Sequence, residues 1–339
     1  MNNHLKTIVF ICILVLAAGC GKKETLISGK TMGTTYHITV VSDFFQNMAG
    51  LQDKIDKRLK EINRSMSTYM KDSEISRFNA LKSTDEKFHI SDDFLQVMVV
   101  ARHLYELTNR AWDGTVNPLV NLWGFGSAEK KEDAVPNPEE IQKLLADVGF
   151  DQIEISEEKY LRKKNASISL DLASIAKGFG VDQIAEVIEK SGFADFLVEI
   201  GGEVYASGFR KDGKPWRVGV NTPQKNAALD AVYKVVPLHN KALATSGDYR
   251  IFFEADGKRY SHILDPTTGY PVTNRVVSAS VIADNCTLAD GLATALMVLG
   301  HEKGIEVTEK LDRVECLIVV QEADGALKDY YSKGFQTVR

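Results

Sequence analysis

The chain has 339 residues, 44% of them hydrophobic and 26% charged, with a formal net charge of −5. That is the balance of an ordinary globular protein, long enough for one large domain or two intimate lobes. Lysines and arginines are spread along the chain rather than blocked together, which argues against a nucleic-acid partner, and no internal repeat or low-complexity tract is present.

The amino end points to a compartment. Lys6 and the amino terminus give a weakly positive start, and Thr7 to Ala18 is almost purely apolar. That run is shorter than the roughly 20 residues a mature transmembrane helix needs, and it reads as a secretory signal. The ending Leu16-Ala17-Ala18-Gly19-Cys20 resembles a bacterial lipoprotein cleavage site. Residues 1–19 are then the signal peptide, Cys20 is the lipidated first mature residue, residues 20–30 are a lipid-anchored linker, and residues 31–339 are the folded domain. The expected location is the cell envelope, anchored by acyl chains to the inner membrane and facing the periplasm. Of the four cysteines, Cys12 leaves with the signal and Cys20 is the anchor. Cys286 and Cys316 either pair in an oxidising compartment or stay as buried thiols, and their apolar settings favour thiols.

Thr34 to Val41 alternates as a strand does. Met48, Leu51, Ile55, Leu59 and Ile62 have helical spacing. A second helix starts at Ser91 and turns Phe94, Leu95, Met98, Ala101, Leu104 and Tyr105 inward. Residues Ser127 to Pro138 read as an exposed loop. The next helix has Asn137 as N-cap, Pro138 in its first turn and Gly149 at its end. Gln152 to Leu170 is β-rich, with Ser167 to Leu170 as a short strand. Ile184, Ala185 and Ile188 mark one face of a further helix. Strands follow at Phe196–Ile200, Glu203–Ser207, Trp216–Val220, Ala231–Leu238, Arg250–Glu254 and Val277–Ala283. Thr287 to Leu299 is a helix stopped by Gly300, and a last helix and two strands close the chain. Helices mixed with antiparallel-looking strands, without a regular βαβ beat, favour an α+β fold.

The chemistry gathers in five clusters. In Asp171–Asp182 an acid, a hydroxyl (Ser174), Lys177 and two glycines crowd a strand-to-helix junction, where free backbone N–H groups favour anions. It is not a Walker A loop, and taken alone it is better read as a plain helix start. His262-Ile263-Leu264-Asp265-Pro266-Thr267-Thr268-Gly269 places a histidine and an acid beside a tight turn. It reads equally as a base or ligand site and as a structural turn. Asp290 and Thr294 are i and i+4 on one helix face, a pair suited to a hard cation or to helix capping. Ala244 to Tyr249 groups hydroxyls around a glycine, as a phosphate wrap or only as a turn. Trp112 to Gly126 sets aromatics beside glycines and a proline, as a rim for a planar ligand or as packing under a loop.

As an ordered set these motifs are more specific. Together with Met32-Gly33-Thr34-Thr35-Tyr36, Ser67-Thr68-Tyr69, Asp72 to Asn79 and Gly201-Gly202-Glu203, they resemble the ApbE family of FAD:protein FMN transferases over nearly the whole mature chain. The resemblance implies an α+β fold of mainly antiparallel sheets and helices, with FAD in a cleft between two intimate lobes. It implies Mg²⁺ against the FAD pyrophosphate, and transfer of FMN to a threonine or serine hydroxyl with release of AMP. Acceptors would include membrane redox subunits of the Rnf and Nqr types. By position, Met32, Tyr69, Ala111, Trp112, Asp113, Asp171, Lys177 and His262 would contact FAD. Ser174, Asp290 and Thr294, with a backbone oxygen such as that of Ala293, would hold the metal. His262 or Asp265 would accept the hydroxyl proton, with His262 preferred because a neutral imidazole is available near pH 7. Two other functions fit the same residues: a non-catalytic FAD-binding lipoprotein, and an FAD pyrophosphatase in which water replaces the acceptor.

Overall fold

The computed structural model describes residues 21–126, 135–224, 226–228, 230–249 and 251–336. The signal peptide, Cys20 and the 127–134 part of the expected loop lie outside them. The first element corrects an expectation. Of the expected linker 20–30, residues 22–30 are strand instead: Lys22–Thr31 is a ten-residue strand, β1, paired with β2 (Thr34–Asp43). It lies at a sheet edge and buries only Ile27 and Thr31, so it carries no apolar alternation to read. Met32 (φ 49°) and Gly33 (φ 73°) join the two strands. Two successive positive φ values make the two-residue hairpin turn whose twist matches the strands.

α1 (Leu51–Met66) buries Leu51, Ile55, Leu59 and Ile62, as the spacing predicts. α2 (Glu74–Ala80) is short and capped by Ser73. β3 (Phe88–His89) precedes α3 (Asp92–Leu107), whose N-cap Ser91 accepts from the Phe94 N–H. α4 (Asn117–Leu122) is followed by α5 (Pro138–Leu145), capped by Asn137 and ended before Gly149. β4 (Ile153–Ser156) and β5 (Tyr160–Lys163) form a small sheet with β3. Then come α6 (Ala173–Lys190), β6 (Asp195–Ile200), β7 (Glu203–Ser207), β8 (Trp216–Asn221), β9 (Val232–Leu238) and β10 (Lys241–Gly247). The hairpin β11 (Phe252–Ala255) and β12 (Lys258–Ser261) leads to β13 (Val276–Ala283). α7 (Cys286–Thr308) breaks at Gly300, so the two expected last helices run on from one another. β14 (Glu315–Gln321) and β15 (Leu327–Tyr331) finish the fold.

The fold class is α+β. Eight strands form one sheet in the order β1-β2-β6-β7-β10-β13-β14-β15, every neighbouring pair antiparallel. Helices α1, α3, α6 and α7 bury their apolar faces in the main core, to which Ile38, Val198, Ala244 and Ala279 of the sheet contribute. On the other side Val41, Val204 and Leu243 pack with Trp216, Val220 and Val236 of the β8–β9 ribbon. Covered on both faces, β13 is buried at almost every position, so its sequence reads as a continuous small apolar run. A second, small core around Trp123 joins α4, α5, β11, β12 and the 263–271 turn. No helix of the described residues is long and apolar enough to cross a membrane.

Ser167–Leu170 alternates as expected but pairs with no strand. Its Leu170 is held by a side chain instead: Asn79 Nδ2 donates to the Leu170 carbonyl (2.8 Å) and the Leu170 N–H donates to Asn79 Oδ1 (2.7 Å). Ile168 and Leu170 still point into the core. Cys286 and Cys316 are both free, buried thiols.

Lys163 is fully buried, its Nζ donating to the carbonyls of Asn79 and Leu81 and lying 4.9 Å from the Phe78 ring centre. Burial, with Lys82 adding, pulls its pKa from 10.5 to about 8. Between those values the unfolded chain holds a proton that the folded chain has released, so stability rises with pH across that window. Lys163→Met removes this contribution. Thermal melts should show the wild type gaining on the variant from pH 8 upward; a difference independent of pH would refute it.

Candidate active site

A cleft of about 490 Å³ opens between the main sheet with α6 and α7 on one side and the small Trp123 core on the other. Three sequence motifs far apart in the chain meet on its walls. Asp171, Ala173, Ser174 and Lys177 come from the start of α6, Asp290 and Thr294 from α7, and His262 from the residue after β12. Ala111, Trp112 and Asp113 line it too, with Glu203 from β7 and Thr245, Ser246 and Gly247 from the end of β10.

The α6–α7 contact sets this geometry. Asp182 of α6 accepts from the Cys286 N–H (2.7 Å), the Thr287 N–H (2.8 Å) and the Thr287 hydroxyl (2.5 Å), so one helix caps the N-terminus of the next. One turn earlier on α6, the Gly178 N–H donates to Asp290 Oδ2 at 2.9 Å. A Cβ on Gly178 would stand 2.3 Å from the Cys286 carbonyl oxygen, so only glycine lets the helices approach this closely. The i,i+4 spacing of Asp290 and Thr294 then brings both to the cleft.

Charge is concentrated here. Lys177 Nζ meets Glu203 Oε1 at 2.5 Å. Burial alone would lower the Lys177 pKa, but the Asp290 and Glu203 charges outweigh it and hold the ammonium charged. Burial pushes both Asp290 and Glu203 above the ordinary carboxylate range, with Lys177 opposing the shift in each. Glu203 Oε2 is buried without a hydrogen-bond partner. The hydroxyls are ordered: Trp112 Nε1 donates to Ser174 Oγ (3.0 Å), and Thr294 Oγ1 lies 2.9 Å from Ser246 Oγ. Asp171 Oδ1 accepts from the Ala173 N–H at 2.8 Å, and burial raises its pKa.

On the opposite wall His262 Nδ1 lies 3.1 Å from the Ile251 carbonyl, which accepts the Nδ1 proton. That bond fixes the tautomer and leaves the Nε2 lone pair free to take a proton. Burial lowers the His262 pKa, with Arg259 adding to it against the Ile251 bond, so the ring is neutral near pH 7.

Other expected site residues lie elsewhere. Tyr69 is 80% exposed and is not on the cleft wall. Met32 sits in the β1–β2 turn beside Gly180, at the cleft end of the sheet but not lining it. Ala293 is fully buried in the main core. Asp265 Oδ1 accepts from the Thr267 N–H (2.8 Å) and hydroxyl (2.7 Å), which commits it to the turn. Asp113 lines the cleft, but its carboxylate accepts from the Thr115 N–H and hydroxyl and from the Phe150 N–H. Ala244–Gly247 is the end of strand β10 and pairs with β13 alone, its β7 pairing stopping at Leu243, so its backbone is extended along that ladder rather than turned around an anion. The sequence offers Glu203 only as part of a motif, Gly178 only as a glycine of the strand-to-helix junction, and Asp182 without a role; Gly178 lies inside α6 rather than in a turn. The available signals are a glycine in mid-helix and an aspartate directly after the buried run Gly178–Val181.

This arrangement, a mainly antiparallel α+β fold with an acidic, hydroxyl-lined cleft facing a neutral histidine, defines an enzyme-like site for a charged ligand. The model of the ApbE family matches residues 32–318. A Vibrio cholerae protein named FAD:protein FMN transferase is 44% identical over 99% of this chain and 98% of its own length. One of the same name from Haemophilus influenzae is 42% identical over 94% of each. The solved structure of the flavin transferase ApbE from Vibrio cholerae superposes with a TM-score of 0.84 at 43% identity, covering 93% of this chain and 98% of that one. The chain belongs to the ApbE family.

Proposed function

We propose that this chain is an FAD:protein FMN transferase, moving FMN from FAD to a threonine or serine hydroxyl of an acceptor protein and releasing AMP. The observation that carries the reading is the meeting of Ser174, Lys177, His262, Asp290 and Thr294 around one cleft. The names of the relatives support the activity. The cleft, about 490 Å³, is within the range of small-molecule sites.

In this reading the acceptor oxygen attacks the FMN-side phosphorus and the bond to the AMP oxygen breaks. His262 Nε2 takes the hydroxyl proton while Nδ1 stays bonded to the Ile251 carbonyl. The Lys177 ammonium is held by Glu203 beside the phosphates. Asp171, which accepts from the Ala173 N–H at the start of α6, and Trp112, which donates to Ser174, orient FAD. AMP leaves with the electron pair of the broken bond.

The residues also fit a divalent cation. Among the described residues no three His, Cys, Asp or Glu side chains converge as a metal site. The donors near Asp290 are instead one carboxylate and the Ser174 and Thr294 hydroxyls, hard oxygens that suit Mg²⁺. The unpartnered Glu203 Oε2 and the raised Asp290 carboxyl mark excess buried negative charge that a cation relieves. When bound there, Mg²⁺ neutralises pyrophosphate charge.

The chain is further proposed to be a lipoprotein anchored through Cys20 at the periplasmic side of the inner membrane. Acceptors of the Rnf and Nqr redox-subunit type fit that position.

The test incubates the detergent-purified full chain with FAD, Mg²⁺ and an acceptor protein bearing a threonine. An FMN mass adduct plus AMP is expected. FMN and AMP without adduct would make it a pyrophosphatase, and neither product would make it a binder. His262→Ala should lower adduct formation by roughly a hundredfold, the lower end for a general base. In the wild type the acid limb of the pH–rate profile should fall below pH 6.5. A His262→Ala variant with full activity and the same limb would remove this role.

A further inference from the structure

Because β1 begins at Lys22, Gly21 alone separates Cys20 from the main sheet. Two residues span at most about 7 Å. An acyl group on Cys20 therefore holds one end of the sheet against the bilayer. An eleven-residue linker would have let the domain float. Register identifies that end. Lys22 stands opposite Asp43, and Val41 opposite Asp195, the first residue of β6.

That end carries an unusual surface. Phe44 and Phe45, directly after β2, are 65% and 85% exposed, with their rings edge to face at 5.3 Å. Phe209 is 40% exposed and stacks on His239 at 4.2 Å. Its backbone N–H donates to Asp195 Oδ1 at 2.9 Å, and Asp195 also pairs with Lys22, so the three phenyl groups flank the same corner. Lys22 and Arg210 are paired with Asp195 and Asp212, so of the four cations at this corner Lys23 and Lys211 remain as positive charge, with Glu24 and Asp43 as the nearby acids. Exposed aromatics in water forgo the free energy of burial. At the headgroup–acyl boundary they regain it, and basic neighbours add attraction to anionic lipid.

We propose that Phe44, Phe45 and Phe209 form a membrane-docking surface that seats in an anionic bilayer beside the anchor and fixes the orientation of the domain. This rests on the lipid-anchor reading of Cys20. The occupant is a lipid surface because the apolar and acylated segment of the chain ends within about 7 Å of the patch-bearing edge.

The test uses the full lipidated chain in phosphatidylethanolamine–phosphatidylglycerol vesicles with or without brominated acyl chains. Phe45→Trp places a reporter on the patch, and Val99→Trp, 55% exposed on α3, serves as control. Brominated lipid should remove roughly half or more of the emission added by Phe45→Trp and none of that added by Val99→Trp, as interfacial seating requires. A chain that pellets with vesicles while Phe45→Trp stays unquenched overturns the docking surface and leaves the anchor standing. A full chain that does not pellet overturns both. Shielding of the reporter only after an acceptor protein is added would make the patch a protein interface and overturn the lipid assignment.

Discussion

Asp290→Ala is expected to abolish flavin transfer while leaving the chain folded. The substitution removes the one carboxylate that α7 contributes to the cleft, beside the Lys177 ammonium and the Thr294 hydroxyl. Loss of preorganised charge at a phosphoryl-transfer site costs about 10²–10³ in rate, and more where a cation is lost with it. The stability effect is smaller. The Gly178 N–H loses its Asp290 acceptor, a cost of about 1–3 kcal/mol. Relief of a carboxylate that burial disfavours offsets part of it. Asp290→Asn separates the two effects, since its amide oxygen still accepts from Gly178. Adduct mass and thermal melting should show Asn restoring the melting temperature but not the activity. An alanine variant with full transfer in saturating Mg²⁺ would remove Asp290 from the site.

Gly178→Ala should damage both fold and activity. Alanine is the better helix former by roughly 1 kcal/mol, so propensity alone would stabilise α6. Packing opposes it. The new methyl would sit 2.3 Å from the Cys286 carbonyl oxygen and 2.7 Å from its carbon, both backbone atoms of α7. No rotamer relieves that, and the helices must separate. Overpacking typically costs about 1–3 kcal/mol, and a backbone clash belongs at the upper end. The separation pulls Asp290 away from the Gly178 N–H and loosens the Asp182 cap on α7. Denaturant unfolding should show a net loss of about 1–2 kcal/mol after the propensity gain, together with lost transfer. A melting temperature at or above the parent would show that the helices yield easily.

Much of this fold is legible locally. Ser91 and Asn137 announce their helices because a cap is a side-chain bond to a backbone N–H two or three residues on. The site motifs are legible as ordered clusters for the same reason: each is a short piece of backbone with its own chemistry. Their meeting is not. Asp182 and Asp290 act across the α6–α7 contact, more than a hundred residues apart, and nothing near Gly178 states what packs on it. β1 is hidden because an edge strand can be polar. Ser167–Leu170 misleads in the other direction, since alternation reports burial of one face and not a ladder. Asp265 is an acid beside a histidine in the sequence, yet its oxygen is consumed by the Thr267 turn.

The direction of the strands in the main sheet has a further consequence. Lys22 and Asp195 lie at one end, while Gly201, Glu203 and Gly247 reach the cleft at the other. From Asp195 to Gly201 is six residues of extended chain, about 20 Å. If Cys20 is acylated as proposed above, the sheet would act as a stilt that lifts the cleft above the headgroups. An acceptor side chain level with the lipid would stand too low to be reached, whereas one raised on a domain or flexible loop of that height would be in range. The length of a strand then becomes a filter on which membrane neighbours can be modified.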